Sequence, residues 1–294
     1  MEKRIYELNT HGHSIAALGF NEDKLGVPLI FMHGALVSVN FWQPVMTPLI
    51  NQKFRWYSLG LPAHFPSLSP PNFHCSDSNT ESFYEIMFHA VEQLIGFQPC
   101  ILIGHSTGGF AALNIAAREP ERVKSIISIA GFAIGKWGGL EGLLIQLSRQ
   151  GVLGKLLAKS TLNIAKQSEL LYRYASFPLS ANWLTYLKHP NLKPTFQAIY
   201  PDVVRFNLDA LCELFCGIGN IDITSLLSEI RTPTLLISGD KDPVIPFEHT
   251  KTMADLIPHS ELAVIKDAGH MLFFERPSTY HKLVTDWITK EVRS

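Results

Sequence analysis

The stretch ILIGHSTGGF, residues 101–110, places Ser106 between two glycines directly after an apolar run. Residues 104–108, GHSTG, fit the pattern G-x-S-x-G, in which a strand ends in a sharp turn and a helix follows. Such a turn holds the serine in an unfavourable backbone conformation, and Gly104 and Gly108 let strand and helix approach closely. The stretch therefore predicts a serine hydroxyl exposed at the carboxyl end of a buried strand.

The rest of the chain alternates between short apolar runs and helix-like segments. The runs that we interpret as strands span residues 4–8, 14–20, 27–32, 54–59, 100–103, 125–130, 234–238 and 261–265. Helix-like spacing of apolar residues occurs over residues 82–95, 110–118, 247–256 and 277–291. Continuous apolar runs of this length suit strands buried on both faces. The alternation predicts an α/β fold, with a mostly parallel sheet flanked by helices.

One long region interrupts the alternation. Residues 132–220 contain several helix-like segments and no convincing strand. The simplest interpretation is a helical insertion between two strands. We therefore expect a core made of residues 1–131 and 221–294, with a helical cap over residues 132–220.

Two downstream segments could supply what a nucleophilic serine requires. A serine hydroxyl becomes a good nucleophile when a histidine takes its proton and a carboxylate holds that histidine. TLLISGDKDPVIP places Asp240 and Asp242 just after a predicted strand, and AVIKDAGHMLFFERP places His270 after the next one. The carboxyl ends of parallel strands share one edge of the sheet, so these side chains should lie near Ser106. The residue pattern alone leaves open which aspartate is used.

Four segments, taken together, resemble the α/β-hydrolase fold family, and the resemblance extends from about residue 4 to 291. The segments are His33-Gly34 after a strand, the GHSTG turn, Gly239-x-x-Asp242, and Gly269-His270. The resemblance implies an eight-stranded, mostly parallel sheet, with residues 132–220 as the family's variable cap.

The resemblance also implies catalytic roles. Ser106 corresponds to the nucleophile and His270 to the general base that later acts as an acid. Asp242 corresponds to the carboxylate that orients the histidine, because the family's acid usually lies three residues after the glycine, here Gly239. Asp240 remains the alternative.

The same resemblance suggests which groups surround the reacting carbonyl. The backbone N–H groups of Thr107 and Ala35 would form the oxyanion hole. Phe41 and Trp42 would help to shape the substrate pocket. His105, directly before the nucleophile, is a further candidate for substrate binding, with packing or support of the turn as its alternative role.

One segment departs from the family pattern. Many relatives carry a turn similar to Asp-x-x-Gly-His-Gly after the next strand, whereas this chain has SLGLPAHFPS at residues 58–67. Gly60 stands where the aspartate would be, and Ala63 stands in place of a glycine. His64 could line the pocket, but a position in a solvated loop is the favoured interpretation. The departure leaves the predicted triad intact.

The predicted activity is hydrolysis of a carboxylic ester of a small or acyl-chain substrate through an acyl-enzyme intermediate, as in carboxylesterases and lipases. Two alternatives remain open. One is a different reaction on the same triad, by a thioesterase, an acyltransferase or a C–C bond hydrolase. The other is a ligand receptor with slow turnover. No metal site and no organic cofactor are implied.

Composition and charge limit the partners. The chain of 294 residues has 25 basic and 26 acidic side chains, so nothing predicts the basic face that nucleic-acid binding needs. No apolar run reaches the ~18 residues of a transmembrane helix. Leu140, Leu143, Leu144 and Leu147 follow helical spacing, and lysines follow them. Such a helix could contact a membrane surface or an acyl carrier, although core packing is the favoured interpretation.

The four cysteines are sparse. Cys212 and Cys216 lie four residues apart, and we interpret them as small apolar residues of a helix that faces the core. The N-terminal segment lacks the apolar region of a signal peptide. A cytoplasmic, reduced protein is therefore expected.

Overall fold

In a computed structural model, which describes residues 3–293, the chain forms an eight-stranded sheet with helices on both faces. Residues 1, 2 and 294, the outermost positions of the predicted core, lie outside the described residues. The strands are β1 (Lys3–Thr10), β2 (His13–Phe20), β3 (Leu29–Met32), β4 (Trp56–Leu59), β5 (Cys100–His105), β6 (Val123–Ile129), β7 (Thr234–Gly239) and β8 (Ser260–Ile265).

The strand order across the sheet is β1-β2-β4-β3-β5-β6-β7-β8. The strands β1 and β2 form an antiparallel hairpin, and β2 also pairs antiparallel with β4, while every later pairing is parallel. The eight predicted runs all correspond to strands. The prediction of a mostly parallel sheet is confirmed.

The helices fall between the strands. They are α1 (Trp42–Val45), α2 (Pro48–Lys53), α3 (Thr80–Ile95), α4 (Thr107–Arg118), α5 (Gly139–Ser148), α6 (Gly151–Ala165), α7 (Glu169–Ala175), α8 (Trp183–Lys188), α9 (Leu192–Val203), α10 (Leu208–Ile218), α11 (Phe247–Leu256), α12 (Leu272–Glu275) and α13 (Pro277–Arg293). All four predicted helical segments correspond to helices, and Asn79 caps α3 by accepting hydrogen bonds from the N–H groups of Glu81 and Ser82.

Burial explains why the central strands form where they do. Every residue of β3, β4, β5 and β7 is buried, as expected for strands covered by helices on both faces. The helix α4 begins directly after β5 and is itself buried along most of its length. The carboxyl end of β5, with Ser106, therefore lies at the middle of the sheet edge.

The helical insertion lies between β6 and β7 and comprises α5 to α10. It is joined to the core by polar contacts as well as by packing. Asp202 of α9 accepts hydrogen bonds from the Ser38 hydroxyl at 2.6 Å and from the Asn40 amide at 2.8 Å. The Tyr172 hydroxyl of α7 donates to the Leu36 carbonyl. We call α5 to α10 the cap, and its exact limits as a domain, residues 132–220, stay a prediction.

The structure corrects the interpretation of one cysteine. Cys216, on α10, forms a disulfide with Cys75 across a sequence separation of 141 residues. Cys212 is a buried free thiol, as expected. The helical spacing of 212 and 216 carries no information about Cys75, which reaches Cys216 only through the tertiary fold.

None of the helices within residues 3–293 is both long and apolar enough to cross a membrane.

Candidate active site

Ser106 occupies the sharp turn between β5 and α4. Its backbone has φ 53° and ψ −115°, in the left-handed half of conformational space that disfavours residues with a side chain. A Cβ atom on Gly104 would lie 2.0 Å from the carbonyl oxygen of Gly108, and one on Gly108 would lie 2.2 Å from that of Met32. Both glycines are therefore required by close backbone approach, as the pattern G-x-S-x-G predicts.

Asp242 and His270 form a buried pair at the same edge of the sheet. Asp242 Oδ2 lies 2.8 Å from His270 Nδ1. Because a carboxylate can only accept, Nδ1 carries the proton, and Nε2 is the free base of the neutral ring. The other oxygen, Oδ1, accepts the N–H groups of Val244 at 2.8 Å and Ile245 at 3.0 Å. Asp240, the alternative acid, is exposed, so the structure brings Asp242 and not Asp240 to the histidine.

The surroundings favour the charged form of this histidine. Burial by itself lowers the pKa of His270, but the charge and hydrogen bond of Asp242 raise it. The charges of Glu141 and Glu275 raise it further, and the net result is a pKa above the usual value for histidine. An imidazolium formed during proton transfer is thus stabilised at this position.

The loop that carries His270 is held by a buried carboxylate that the sequence did not identify. Glu275 Oε1 accepts the N–H of Gly269 at 3.0 Å. Glu275 Oε2 accepts the N–H groups of Ala181 at 2.9 Å and Asn182 at 2.7 Å, both in the cap. The N–H of His270 donates to the carbonyl of Leu179, also in the cap, at 2.8 Å. The cap therefore helps to set the position of the histidine.

The two predicted oxyanion donors lie close to Ser106, because Thr107 follows it in the chain and Ala35 lines the same cavity. Thr107 is the first residue of α4, where an N–H has no partner inside the helix. The N–H of Ala35 makes no hydrogen bond to any residue that the structure describes. Helix N-termini favour negative charge, so this side of Ser106 suits a developing oxyanion.

His64 is buried and forms a hydrogen bond to the backbone next to Ala35. The prediction that it lies in a solvated loop is therefore wrong. The side chain of His64 is fully buried, and its Nε2 accepts the N–H of Leu36 at 3.0 Å while Nδ1 donates to the Pro62 carbonyl at 2.8 Å. Burial lowers its pKa to about 4. Leu36, with φ 62°, directly follows Ala35, so the bond from His64 fixes the backbone that presents the Ala35 N–H.

A cavity of about 80 Å³ lies between this edge of the sheet and the cap. From the core it is lined by residues that include Ala35, Phe41, His105, Ser106 and His270. Among the described residues no hydrogen bond joins Ser106 to His270, although both side chains line this cavity. In structures without substrate such catalytic contacts are often long and tighten when the substrate binds.

The structure brings two of the three predicted substrate-binding residues to the cavity. Phe41 and His105 line the cavity. Trp42 is absent from the lining, and its buried ring packs against Phe31 and Phe273, so its assignment to the pocket is corrected to core packing. Trp42 and Phe41 are adjacent on a short helical turn and therefore point in different directions.

His105 also supports the site. It is buried, which lowers its pKa well below the usual value and keeps the ring neutral. Its Nε2 lies 3.0 Å from the His270 carbonyl oxygen, so Nε2 carries the proton and donates. His105 thus contacts both the cavity and the backbone of the histidine loop.

Within residues 3–293, no group of three or more His, Cys, Asp or Glu side chains is arranged to hold a metal ion.

Comparison with known proteins places these features in a family. A family model described as the alpha/beta hydrolase fold matches residues 27–277. The chain is 24% identical to a putative carbamate hydrolase, RutD, of Stutzerimonas stutzeri, over 90% of this chain and 92% of that protein. It is 29% identical to a 2-hydroxymuconate semialdehyde hydrolase of Pseudomonas putida, over 69% of this chain and 67% of that protein.

A solved structure of a thermophilic esterase from Thermogutta terrifontis has the same fold, with a TM-score of 0.73. Its sequence is 20% identical, and the alignment covers 98% of this chain and 99% of that chain. The family match spans most of the chain and includes all four of the segments on which the resemblance rests. The chain is a hydrolase that belongs to the alpha/beta hydrolase fold family.

Proposed function

We propose that this protein is a serine hydrolase that cleaves small carboxylic esters through an acyl-enzyme intermediate. Ser106 is the nucleophile, His270 is the general base and then the general acid, and Asp242 orients His270 and stabilises its charged form. This assignment resembles the activity of carboxylesterases.

The reaction proceeds in two steps, the acylation of Ser106 and the hydrolysis of the acyl-enzyme. Ser106 Oγ attacks the carbonyl carbon while His270 Nε2 takes the hydroxyl proton, and the ester C–O bond then breaks as Nε2 gives that proton to the leaving alcohol. In the second step His270 removes a proton from water, which attacks the acyl-enzyme. The acid leaves, and the proton on Nε2 returns to Ser106.

The N–H groups of Ala35 and Thr107 would hold the negative oxygen of each tetrahedral intermediate. Donors of this kind act on charge that develops only in the transition state, and each is worth on the order of 3 kcal/mol. Because both groups belong to the backbone, their positions depend on the Ser106 turn and on the contact between His64 and Leu36.

The observation that carries the proposal is the buried Asp242–His270 hydrogen bond of 2.8 Å in a histidine loop that faces the same cavity as Ser106. A serine in an ordinary strand-to-helix turn would need neither a strained backbone nor such a pair beside it. The names of the two relatives give different substrates, a carbamate and a semialdehyde, so the ester is our choice among the substrates of this family.

The volume of the cavity suits a small acyl group. Its volume of about 80 Å³ lies well below the ~300–1,000 Å³ of pockets for drug-sized ligands. Its walls are mostly apolar and include Leu144, Leu162 and Phe196 of the cap. We therefore expect short or compact acyl groups to react faster than long chains.

A panel of p-nitrophenyl esters from acetyl to dodecanoyl, with matched thioesters, tests the proposal on the wild type and on Ser106→Ala. We expect kcat/KM to be highest for the short esters and to fall by about 10⁴-fold or more in Ser106→Ala. Activity that survives the substitution would contradict the nucleophile assignment.

The same experiment addresses the alternatives. A higher kcat/KM for thioesters indicates a thioesterase, and acyl transfer to added alcohols indicates an acyltransferase. Semialdehyde substrates test for cleavage of a C–C bond, and they are of the class that the name of the Pseudomonas putida relative gives as its substrate. A wild-type turnover equal to that of Ser106→Ala would favour the slow ligand receptor.

A cytoplasmic location and a contact with a membrane surface or an acyl carrier also remain predictions. The Cys75–Cys216 disulfide counts against a reducing compartment, because such bonds are rare in the cytosol of mesophiles. Cell fractionation combined with thiol labelling of the native protein would decide where the protein resides.

A further inference from the structure

Glu141 is a buried acid that faces the cavity and has no role in the proposed mechanism. It lies in the first turn of α5, at the start of the cap, and is 9% exposed. It lines the same cavity as Ser106 and His270. Its charge also contributes to the raised pKa of His270, so the carboxylate lies near the catalytic pair.

The carboxylate is not fully paired. Among the described residues, Glu141 Oε2 has no hydrogen-bond partner, and Glu141 takes part in no ion pair. None of the residues that line the cavity is a lysine or an arginine. Burial of a carboxylate without such a partner is unfavourable, and burial correspondingly raises the pKa of Glu141.

A purely structural role explains the position only in part. An acidic side chain in the first turn of a helix is favoured by the helix dipole, but that effect is small compared with the cost of burying a carboxylate. The other buried acids near the site are differently placed. Asp242 and Glu275 use both of their oxygens in hydrogen bonds to protein groups. Of these three acids, only Glu141 has an oxygen without a hydrogen-bond partner among the described residues, and Glu141 also lines the cavity.

The surroundings of Glu141 indicate what would pair with it. The lining contains the aromatic side chains of Trp137, Tyr172 and Phe196 together with aliphatic residues. Aromatic faces attract cations, and a carboxylate in a site of this kind binds an ammonium group by charge and by hydrogen bonding. A neutral aliphatic group would leave this carboxylate without a partner.

We propose that Glu141 forms a subsite for an ammonium group, so that the preferred substrate is a small ester that carries a protonated amine close to the scissile carbonyl. This proposal rests on the proposed serine hydrolase function and specifies its substrate class. The acid contributes to binding and selectivity, while Ser106 and His270 carry out the chemistry.

Isosteric substrate pairs test the subsite. Alanine methyl ester and methyl isobutyrate differ by an ammonium in place of a methyl group on the acyl side. On the alcohol side, 2-(dimethylamino)ethyl butyrate and 3-methylbutyl butyrate differ by a protonated tertiary amine, which keeps an N–H donor, in place of a C–H group. Hydrolysis would be followed at about pH 7, where the amine of alanine methyl ester is largely protonated.

We expect the wild type to prefer the charged member of at least one pair by about tenfold or more in kcat/KM, as charge-assisted hydrogen bonds allow. In Glu141→Gln that ratio should fall to near unity. The matched control is Asp209→Asn, which removes an exposed cap carboxylate paired with Lys159, and it should keep the wild-type ratio. A wild type without preference in both pairs, or a preference retained in Glu141→Gln, would overturn the proposal.

A binding measurement separates this proposal from the proposed reaction. Titration of Ser106→Ala with isobutylammonium and with isobutanol, followed by NMR, needs no turnover. We expect the ammonium to bind about tenfold or more tightly, and the double variant Ser106→Ala/Glu141→Gln to lose the difference. Equal affinities would contradict the subsite even if Ser106 proves to be the nucleophile. Conversely, tight ammonium binding by a Ser106→Ala protein that remains active would leave the subsite supported and refute the nucleophile.

Discussion

Asp242 and Glu275 at the sheet edge differ from Glu141 of the cap in how completely their carboxylate oxygens are paired. At the sheet edge both oxygens of Asp242 accept hydrogen bonds, and Glu275 accepts three backbone N–H groups. On the cavity side of the cap, Glu141 keeps an unpaired oxygen. On its outer side, Val152 is 84% exposed and Leu153 is 76% exposed.

We relate this difference to two tasks of the site, catalysis and the selection of the substrate. Groups that are fully paired within the protein keep one geometry with or without a ligand, as a preorganised catalytic site requires. We therefore expect the sheet edge to carry out the chemistry and the cavity face of the cap, with Glu141, to select the substrate.

The largest effect is expected from the aspartates at the sheet edge. In Asp242→Asn the amide can no longer hold His270 in the tautomer with a basic Nε2, and kcat should fall by about 10⁴-fold. Asp240→Asn is the matched control, because Asp240 is exposed on the same loop, and its kcat should stay within about threefold of wild type. Steady-state ester hydrolysis measures both. A reversed order of the two effects would transfer the role to Asp240.

The link between cap and core gives the next effect. The Cys75–Cys216 disulfide closes a loop of 141 residues and joins α10 to the segment before α3. Cys216→Ser should lower the free energy of unfolding by about 2–4 kcal/mol, measured by urea denaturation. Addition of dithiothreitol should lower the free energy of unfolding of the wild type to that of Cys216→Ser. The free energy of unfolding of the variant itself should not change. A wild type that does not respond to reductant would show that the bond does not stabilise the fold.

The smallest effect concerns His64, the buried histidine next to the backbone of Ala35, and the pH dependence of the free energy of unfolding. The pKa of His64 is about 4 in the folded protein and about 6.5 when unfolded, so between these values the unfolded chain binds the extra proton. The stability that a neutral His64 provides is complete above about pH 6.5 and is lost as the pH falls toward 4. The free energy of unfolding should therefore decrease with a slope of up to ~1.4 kcal/mol per pH unit from this group.

Comparison of variants isolates that slope. His64→Gln should unfold with a shallower pH dependence than the wild type between about pH 6.5 and 5, whatever its stability at neutral pH. His259→Gln removes an exposed histidine and should keep the wild-type slope. Equal slopes in all three proteins would mean that His64 takes up its proton in the folded state as readily as in the unfolded chain.

Much of the fold could be predicted from local patterns. Each of the strands β1 to β8 corresponds to an apolar run, and the β1–β2 hairpin follows from the turn at His11-Gly12. The Ser106 turn could be predicted because close packing of β5 on α4 requires glycine at fixed positions in the sequence. These signals are short-range, so a single sequence is enough to detect them.

Other features depend on residues far apart in the chain. The choice of Asp242 over Asp240, the burial of His64 and the partnership of Cys75 with Cys216 all arise from contacts across the fold. The prediction that Trp42 shapes the pocket is wrong for a related reason. Adjacent residues in a helical turn face different directions, and the sequence alone does not say which one faces the cavity.

The sequence by itself determined the class of fold, the strand–turn–helix at Ser106 and the set of residues from which a triad could be drawn, because these depend on periodicity and on turn chemistry within a few residues. Only the tertiary structure decided which acid holds His270, how the cap is fastened to the core and that Glu141 faces the cavity. Those outcomes depend on burial and on hydrogen-bond partners, which arise only when distant segments pack together.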